Sequence, residues 1–180
     1  HLARHPLGKV PVLEDGEVSM WESGAVLTYL VERYGEGRLA PPLGTPARAR
    51  YHQWFFFAAT SLEQVTTKIY ANLRFRVGQP DAAERLAEAH KELTKLCRAL
   101  DPALEQGPYI LGDDFSAADI MLGTSLHWAE KVGGLADAPV LKRYYDRLAE
   151  RPAFQQTFAE GEVLGSLWGE VGAGSLSPCP

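Results

Sequence analysis

His5-Pro6-Leu7-Gly8-Lys9-Val10-Pro11-Val12-Leu13-Glu14-Asp15-Gly16-Glu17-Val18-Ser19-Met20-Trp21-Glu22-Ser23-Gly24-Ala25-Val26-Leu27-Thr28-Tyr29-Leu30 is the stretch on which the reading of this chain turns. Val10 to Glu14 is a run of strand length. Asp15-Gly16 follows, a strong hairpin signal, because glycine accepts the positive φ that two-residue turns demand. Glu17 to Trp21 then reads as the returning strand. From Ser23 the spacing becomes helical: Val26, Leu27, Leu30, Val31 and Tyr34 share one face, and Gly35 fits the stop.

Downstream, Ala40-Pro41-Pro42-Leu43-Gly44 can continue neither helix nor sheet and reads as a linker. It divides the chain into residues 1–40 and an all-helical part, residues 41–180. Thr45-Pro46 opens a long helix with a cap residue followed by proline at the first helical position. Tyr51, Trp54, Phe55, Ala58, Leu62, Val65, Ile69 and Leu73 step by three or four and form its apolar stripe, and Gly78-Gln79-Pro80 ends it. Roughly 30 residues is longer than most globular helices, and a helical bundle is its natural home.

Asp81 and Glu84 resemble a capping box for a second long helix with the stripe Leu86, His90, Leu93, Cys97, Leu100 and Leu104. His90 and Cys97 fall on or beside its buried face and read as packed core residues. Ser116-Ala117-Ala118-Asp119 starts a third helix, with reciprocal Ser116 and Asp119 capping and a hydrophobic staple from Phe115 to Ile120. Breaking that cap is expected to cost about 1 kcal/mol or somewhat more. Further helices are expected over Val140–Glu150 and from Pro152 to about Glu160. The tail from about residue 161, Leu164, Leu167 and Trp168 apart, is expected to be loosely held.

Composition narrows the function classes. A net charge of −5 and a pI near 5.5 argue against nucleic acid as a partner, which calls for a basic stripe. Trp54–Ala59, the longest apolar run, falls far short of the roughly 20 residues of a membrane span, and no signal peptide stands at the start. Two cysteines, Cys97 and Cys179, make no disulfide framework and point to a reducing, cytoplasmic setting. The five histidines lack metal-site spacing apart from His1 and His5 at the chain start, so no metal is expected. The chain opens without an initiator methionine and in the middle of a structural pattern, so an upstream segment is expected.

His5-Pro6-Leu7-Gly8-Lys9-Val10-Pro11-Val12-Leu13 and Glu22-Ser23-Gly24-Ala25-Val26-Leu27-Thr28-Tyr29-Leu30 resemble the glutathione transferase family. The family pattern is Asn-Pro-x-Gly-Lys-Val-Pro-x-Leu, a hairpin, then Glu/Gln-Ser-x-x-Ile/Val-x-x-Tyr-Leu; His5 departs from it. Leu111-Gly112-Asp113-x-Phe115-Ser116-x-Ala118-Asp119 is similar to the capping motif of the family's second domain, and Arg151-Pro152-Ala153-Phe154 to a common family ending. The resemblance runs from about residue 3 to about residue 160. It implies an α+β fold for residues 1–40, the C-terminal half of a thioredoxin-like glutathione-binding domain, joined to an all-α bundle.

The same resemblance implies a site. In the family the proline corresponding to Pro11 is cis, and the main chain of the preceding residue, here Val10, pairs with the cysteinyl part of glutathione. Ser23, at a helix start, would take the γ-glutamyl carboxylate, and Glu22 the adjacent ammonium. Lys9 is a candidate for the glycyl carboxylate. Each has a plain structural alternative: an edge-strand proline, an ordinary N-cap, a solvated lysine. A second, apolar electrophile is expected between the domains, with Tyr51, His52, Phe55, Phe56 and Trp168 as candidates, although such a stripe is more often core. The group that activates the sulfur, a Tyr, Ser or Cys in the family, is expected upstream of His1, so the catalytic residue is unknown.

The function implied is transfer of glutathione, as co-substrate, to a small hydrophobic electrophile. A glutathione-dependent reductase or isomerase on the same scaffold, or a non-catalytic binding module, are the alternatives. An unrelated helical regulator lacks a basic recognition helix here. Family likeness implies a homodimer through the Ser23–Tyr34 helix and the long helix from Pro46, with Phe56, Phe57 and Tyr70 as surplus apolar positions.

Overall fold

The computed structural model describes residues 3–159. β1 (Val12–Asp15) and β2 (Val18–Trp21) form a hairpin that leads into α1 (Ser23–Tyr34). α2 (Pro46–Phe56), a π-helical turn (Phe57–Leu62) and α3 (Glu63–Phe75) run as one long element. α4 (Ala82–Leu104), α5 (Ala117–Lys131), α6 (Pro139–Ala149) and α7 (Pro152–Ala159) complete the bundle. Trp168, Leu164 and Leu167 lie outside the described residues.

β1 and β2 are antiparallel, with Val12 opposite Trp21 and Asp15 opposite Val18. The first strand therefore starts two residues later than the sequence suggests. Pro11 has no N–H to give a ladder, and Val10 and Pro11 precede the pairing. The turn also lies one residue further on, at Gly16-Glu17: Asp15 still pairs with Val18, and Gly16 carries the positive φ, 60°. At the far end of α1, Gly35 stays right-handed at φ −76° because its N–H still closes onto Val31 O. The left-handed φ values fall instead on Glu36 (51°) and Gly37 (77°).

Thr45 caps α2 as expected, its hydroxyl accepting from Arg48 N at 3.2 Å with Pro46 in the first turn. The apolar stripe is buried as read: Tyr51, Phe55, Ala58, Leu62, Val65 and Ile69 are all at most 3% exposed. The single α-helix expected there is interrupted, however, by the π turn. A π turn closes i→i+5, as Glu63 N does onto Ala58 O here. Ala58 O also accepts from Ser125 Oγ of α5 at 3.5 Å, and Leu62 O accepts from Thr66 Oγ1 at 3.3 Å. Upstream of the turn the stripe packs against α5; downstream it packs mainly against α4. Leu93, Leu100, Leu122, Leu126, Leu141 and Leu148 fill the centre of the bundle.

Asp81 precedes α4 but forms no side-chain cap, because Arg85 one turn on draws its carboxylate into an ion pair. At α5 the reciprocal motif is present and more heavily used than expected. Asp119, 1% exposed, accepts four hydrogen bonds. Its Oδ2 takes Ser116 N at 2.8 Å and Ser116 Oγ at 2.9 Å. Its Oδ1 takes Ile110 N at 2.9 Å and Tyr144 OH at 2.8 Å. The carboxylate thus joins a loop, a cap and α6, so the cost expected for an isolated cap is too small. Phe115 packs edge-on against Tyr109 at 5.4 Å, with the Arg151 guanidinium 3.6 Å above its ring. Finally, Leu39 O accepts from Ala117 N at 2.8 Å, which ties the segment after α1 to the start of α5.

Candidate functional site

Glu22 makes the corner between β2 and α1 with φ 77° and ψ 114°. A residue with a Cβ rarely adopts that φ, and such outliers concentrate at functional sites. Glu22, not Ser23, is therefore the N-cap, and Ser23 is the first helical residue. The first intrahelical bond runs from Val26 N to Glu22 O at 2.9 Å. No side chain caps the N–H groups ahead of it. The start of α1 thus presents donors and the positive end of the helix dipole.

These residues border a cavity of about 630 Å³ between α1 and the long helix. Glu22, Ser23, Gly24, Ala25, Thr28, Tyr29 and Glu32 form one side, and Phe55, Phe56, Ala59, Thr60 and Glu63 the other. Gly24 marks the close approach: a Cβ there would lie 3.3 Å from Phe55 Cε1. The Glu63 carboxyl is held above the usual carboxylate range, first by burial and then by the Glu22 carboxylate. Uncapped helix N–H groups and carboxylates therefore share one concavity with an aromatic floor. A smaller cavity of about 390 Å³, bordered by Arg50, Trp54 and Gln106, contains none of the expected site residues.

The expected residues are placed as follows. Glu22, Ser23 and Phe55 meet at the larger cavity. Lys9, Val10 and Pro11 are exposed, ahead of β1, and the Val10–Pro11 peptide bond is cis. Val10 is 82% exposed. Tyr51 is 2% exposed in the core, behind Phe55, with ring centroids 5.7 Å apart. His52 is exposed, and its Nε2 accepts from Arg48 Nε at 3.1 Å. Arg48 also donates to Pro41 O at 3.1 Å and pairs with Glu32 at 3.5 Å, locking α2 to the linker and to α1. Of the surplus apolar positions, Phe56 is exposed, whereas Phe57 packs against the core.

Sequence reasoning missed Thr60 and Glu63. Both face the cavity from in or just after the π turn, and no motif announced that turn. The positive φ of Glu22 was equally unsignalled, since glutamate carries no preference for it. Among the described residues no group of three His, Cys, Asp or Glu is placed to hold a metal. No helix among them is long and apolar enough to cross a membrane.

Comparison with known proteins agrees with this architecture. Residues 1–32 match the family described as glutathione S-transferase, N-terminal domain. Residues 83–147 match that described as glutathione S-transferase, C-terminal domain. Glutathione S-transferase GstB of Escherichia coli strain K12 is 31% identical over 159 residues, covering 86% of this chain and 76% of that protein. The disulfide-bond oxidoreductase YfcG of the same strain is 29% identical over 167 residues, covering 88% and 75%. A glutathione transferase family member from Pseudomonas fluorescens Pf-5, crystallised with two glutathione bound, matches with a TM-score of 0.75 at 25% identity, covering 86% of this chain and 72% of that one. The hairpin and α1 are thus part of a thioredoxin-like unit and the remaining helices an all-α bundle. With motifs, fold and relatives in agreement, the chain belongs to the glutathione S-transferase family.

Proposed function

We propose that this chain binds reduced glutathione and transfers it to a small hydrophobic electrophile. The observation that carries the reading is the uncapped start of α1, where Ser23 opens onto a cavity beside the Glu22 carboxylate. An anion site next to a carboxylate suits the carboxylate and ammonium of a γ-glutamyl group. In this reading the Val10 main chain pairs with the cysteinyl segment, and Lys9 meets the glycyl carboxylate. Phe55, with Phe56 beside it and Tyr51 behind it, supplies apolar wall for the electrophile. His52 and Trp168 are the remaining candidates for the electrophile site; His52 does not border this cavity. The glutathione thiolate attacks the electrophilic carbon, a C–S bond forms, and the leaving group departs with the bonding pair.

The domain division near residue 40, a cytoplasmic location, a role in detoxification and a homodimer built on α1 and α2 belong to the same proposal. The exposed Phe56 beside the groove supports the last of these. A second reading, glutathione-dependent reduction of disulfides, is favoured by the likeness to YfcG. The residue that activates the sulfur separates the two: Cys favours thiol exchange, whereas Tyr or Ser favours conjugation.

The test is calorimetric titration of the protein, any segment preceding His1 included, with S-methylglutathione. Ser23→Ala removes one charge-assisted hydrogen bond and is expected to weaken binding about tenfold. Unchanged affinity in that variant would discard the site.

A further inference from the structure

The long helix ends in an apolar knuckle. Phe75, the last residue of α3, is 71% exposed, and Val77 just beyond it is 77% exposed. Neither borders either cavity. A reverse turn fixes their placement: Arg76 O accepts from Gln79 N at 3.1 Å, and Gly78 carries φ 80°. A positive φ at the third position marks a type II turn, with Val77 in its second position at the apex. Central turn positions usually go to proline, glycine or small polar residues. A β-branched apolar residue held out at that apex contributes little to the core. Basic charge surrounds the pair. Residues 64–80 contain Lys68, Arg74 and Arg76 and no Asp or Glu, in a chain of net charge −5. Lys68 pairs with Glu92 of α4, and Asp81, where acidic residues resume, pairs with Arg85. Arg74 and Arg76 take part in no ion pair among the described residues. The Arg74 guanidinium lies 6.0 Å from the centre of the Phe75 ring.

We propose that this knuckle is a peripheral contact for an anionic bilayer surface: Phe75 and Val77 enter the headgroup region, and Arg74 and Arg76 meet lipid phosphates. Charge and size select that occupant. Two unpaired arginines on an otherwise acidic chain call for a negative partner. A stable protein partner covers about 800 Å² on each side, several times what two projecting side chains offer. A fluid interface instead deforms around a projection and gains from inserted apolar groups and from neighbouring cations. Arginine stems can lie along the apolar level while their heads stay among phosphates. No membrane-spanning helix is needed for such a contact, and it stands independently of the glutathione reading.

The test is co-sedimentation of the full protein, any segment preceding His1 included, with vesicles of phosphatidylcholine alone or mixed with phosphatidylglycerol. At low salt the mixed vesicles are expected to bind about tenfold more tightly than the neutral ones, as two arginines at an anionic surface allow. High salt should remove that advantage. Phe75→Ser/Val77→Ser should weaken partitioning onto mixed vesicles about tenfold through lost apolar insertion. Arg74→Gln/Arg76→Gln should make the two vesicle types equivalent. Equal sedimentation of wild type with both vesicles, or wild-type partitioning of both double variants, overturns the proposal. A changed oligomeric state in Phe75→Ser/Val77→Ser, read by analytical ultracentrifugation, assigns the patch to a contact between copies of the chain and overturns it too. Val77→Cys in a Cys179→Ser background, labelled with an environment-sensitive fluorophore, locates the contact directly. Its emission should shift to the blue on mixed vesicles; sedimentation without that shift puts the contact elsewhere and rejects the knuckle.

Discussion

Replacing Asp119 by alanine tests whether the start of α5 holds the bundle together rather than serving the ligand. The carboxylate is 1% exposed and accepts from Ile110 N, Ser116 N, Ser116 Oγ and Tyr144 OH. Burial, chiefly, and then the Asp119 charge push the Tyr144 hydroxyl well above the usual tyrosine range, so it remains a donor. In Asp119→Ala, Ser116 Oγ can rotate to another partner, but two backbone N–H groups and a buried hydroxyl lose theirs. Each orphaned donor costs about 1–3 kcal/mol. Relief from burying a carboxylate without a cation offsets part of that. A net loss of about 3–5 kcal/mol follows. For a chain of this size each kcal/mol lowers the melting temperature by about 2–4 °C, so a fall of about 10 °C is expected. Asp119→Asn keeps one acceptor oxygen and should fall between the two. The assays are circular dichroism melting and calorimetric binding of S-methylglutathione. A melting temperature within about 2 °C of wild type would refute the energetic argument. A selective loss of affinity at unchanged stability would refute the structural role.

Two further predictions concern titratable groups. His127 stacks on Phe158 at 4.0 Å and meets Tyr145 OH at 3.0 Å, and burial, with a smaller effect from Lys131, lowers its pKa from 6.5 to about 4. Unfolded chains take up this proton near pH 6.5 and the folded protein only near 4. The contribution to stability is therefore present above pH 6.5 and is lost as pH falls from there toward 4, by about 1 kcal/mol once solvent screening of the half-buried ring is allowed for. Urea unfolding across that range should show His127→Phe losing less than wild type; equal losses would sink the assignment. Cys97 is buried, and desolvation first, with Asp101 second, pushes its thiol up to about 12. Native protein should leave Cys97 unalkylated by iodoacetamide at pH 8, as peptide mass spectrometry can verify, and urea should expose it. Ready labelling of folded protein would contradict the packing.

Much of the fold was legible because it rests on periodicity and caps. Steps of three and four picked out Tyr51, Phe55, Leu62 and Ile69, and all are buried. Thr45-Pro46 and Ser116 to Asp119 announced helix starts through side-chain chemistry that is local in sequence. Errors arose where a nearby group competed, as when Arg85 captured Asp81, or where one residue's shift was free, as in the Gly16-Glu17 turn. The site was legible as motifs and not as geometry. Glu22 and Ser23 could be named, but not the positive φ between strand and helix. The stripe suggested Tyr51 and Phe55 equally; both are buried, at 2% and 3% exposed, and of the two Phe55 alone borders the cavity. Asp119 looked like a two-bond cap because Ile110 and Tyr144 reach it from distant parts of the chain.

The π turn at Phe57–Leu62 has a consequence for how such a protein can vary. A π turn admits one more residue between hydrogen-bonded partners than an α turn does. Loss of a single residue there would let the segment relax to ordinary α-helix while Tyr51 and Phe55 kept their seats upstream and Val65 and Ile69 theirs downstream. What would change is the cavity border at Ala59 and Thr60. Chain length at that spot is thus uncoupled from the architecture of the bundle, and insertion or deletion can remodel the pocket in one genetic step.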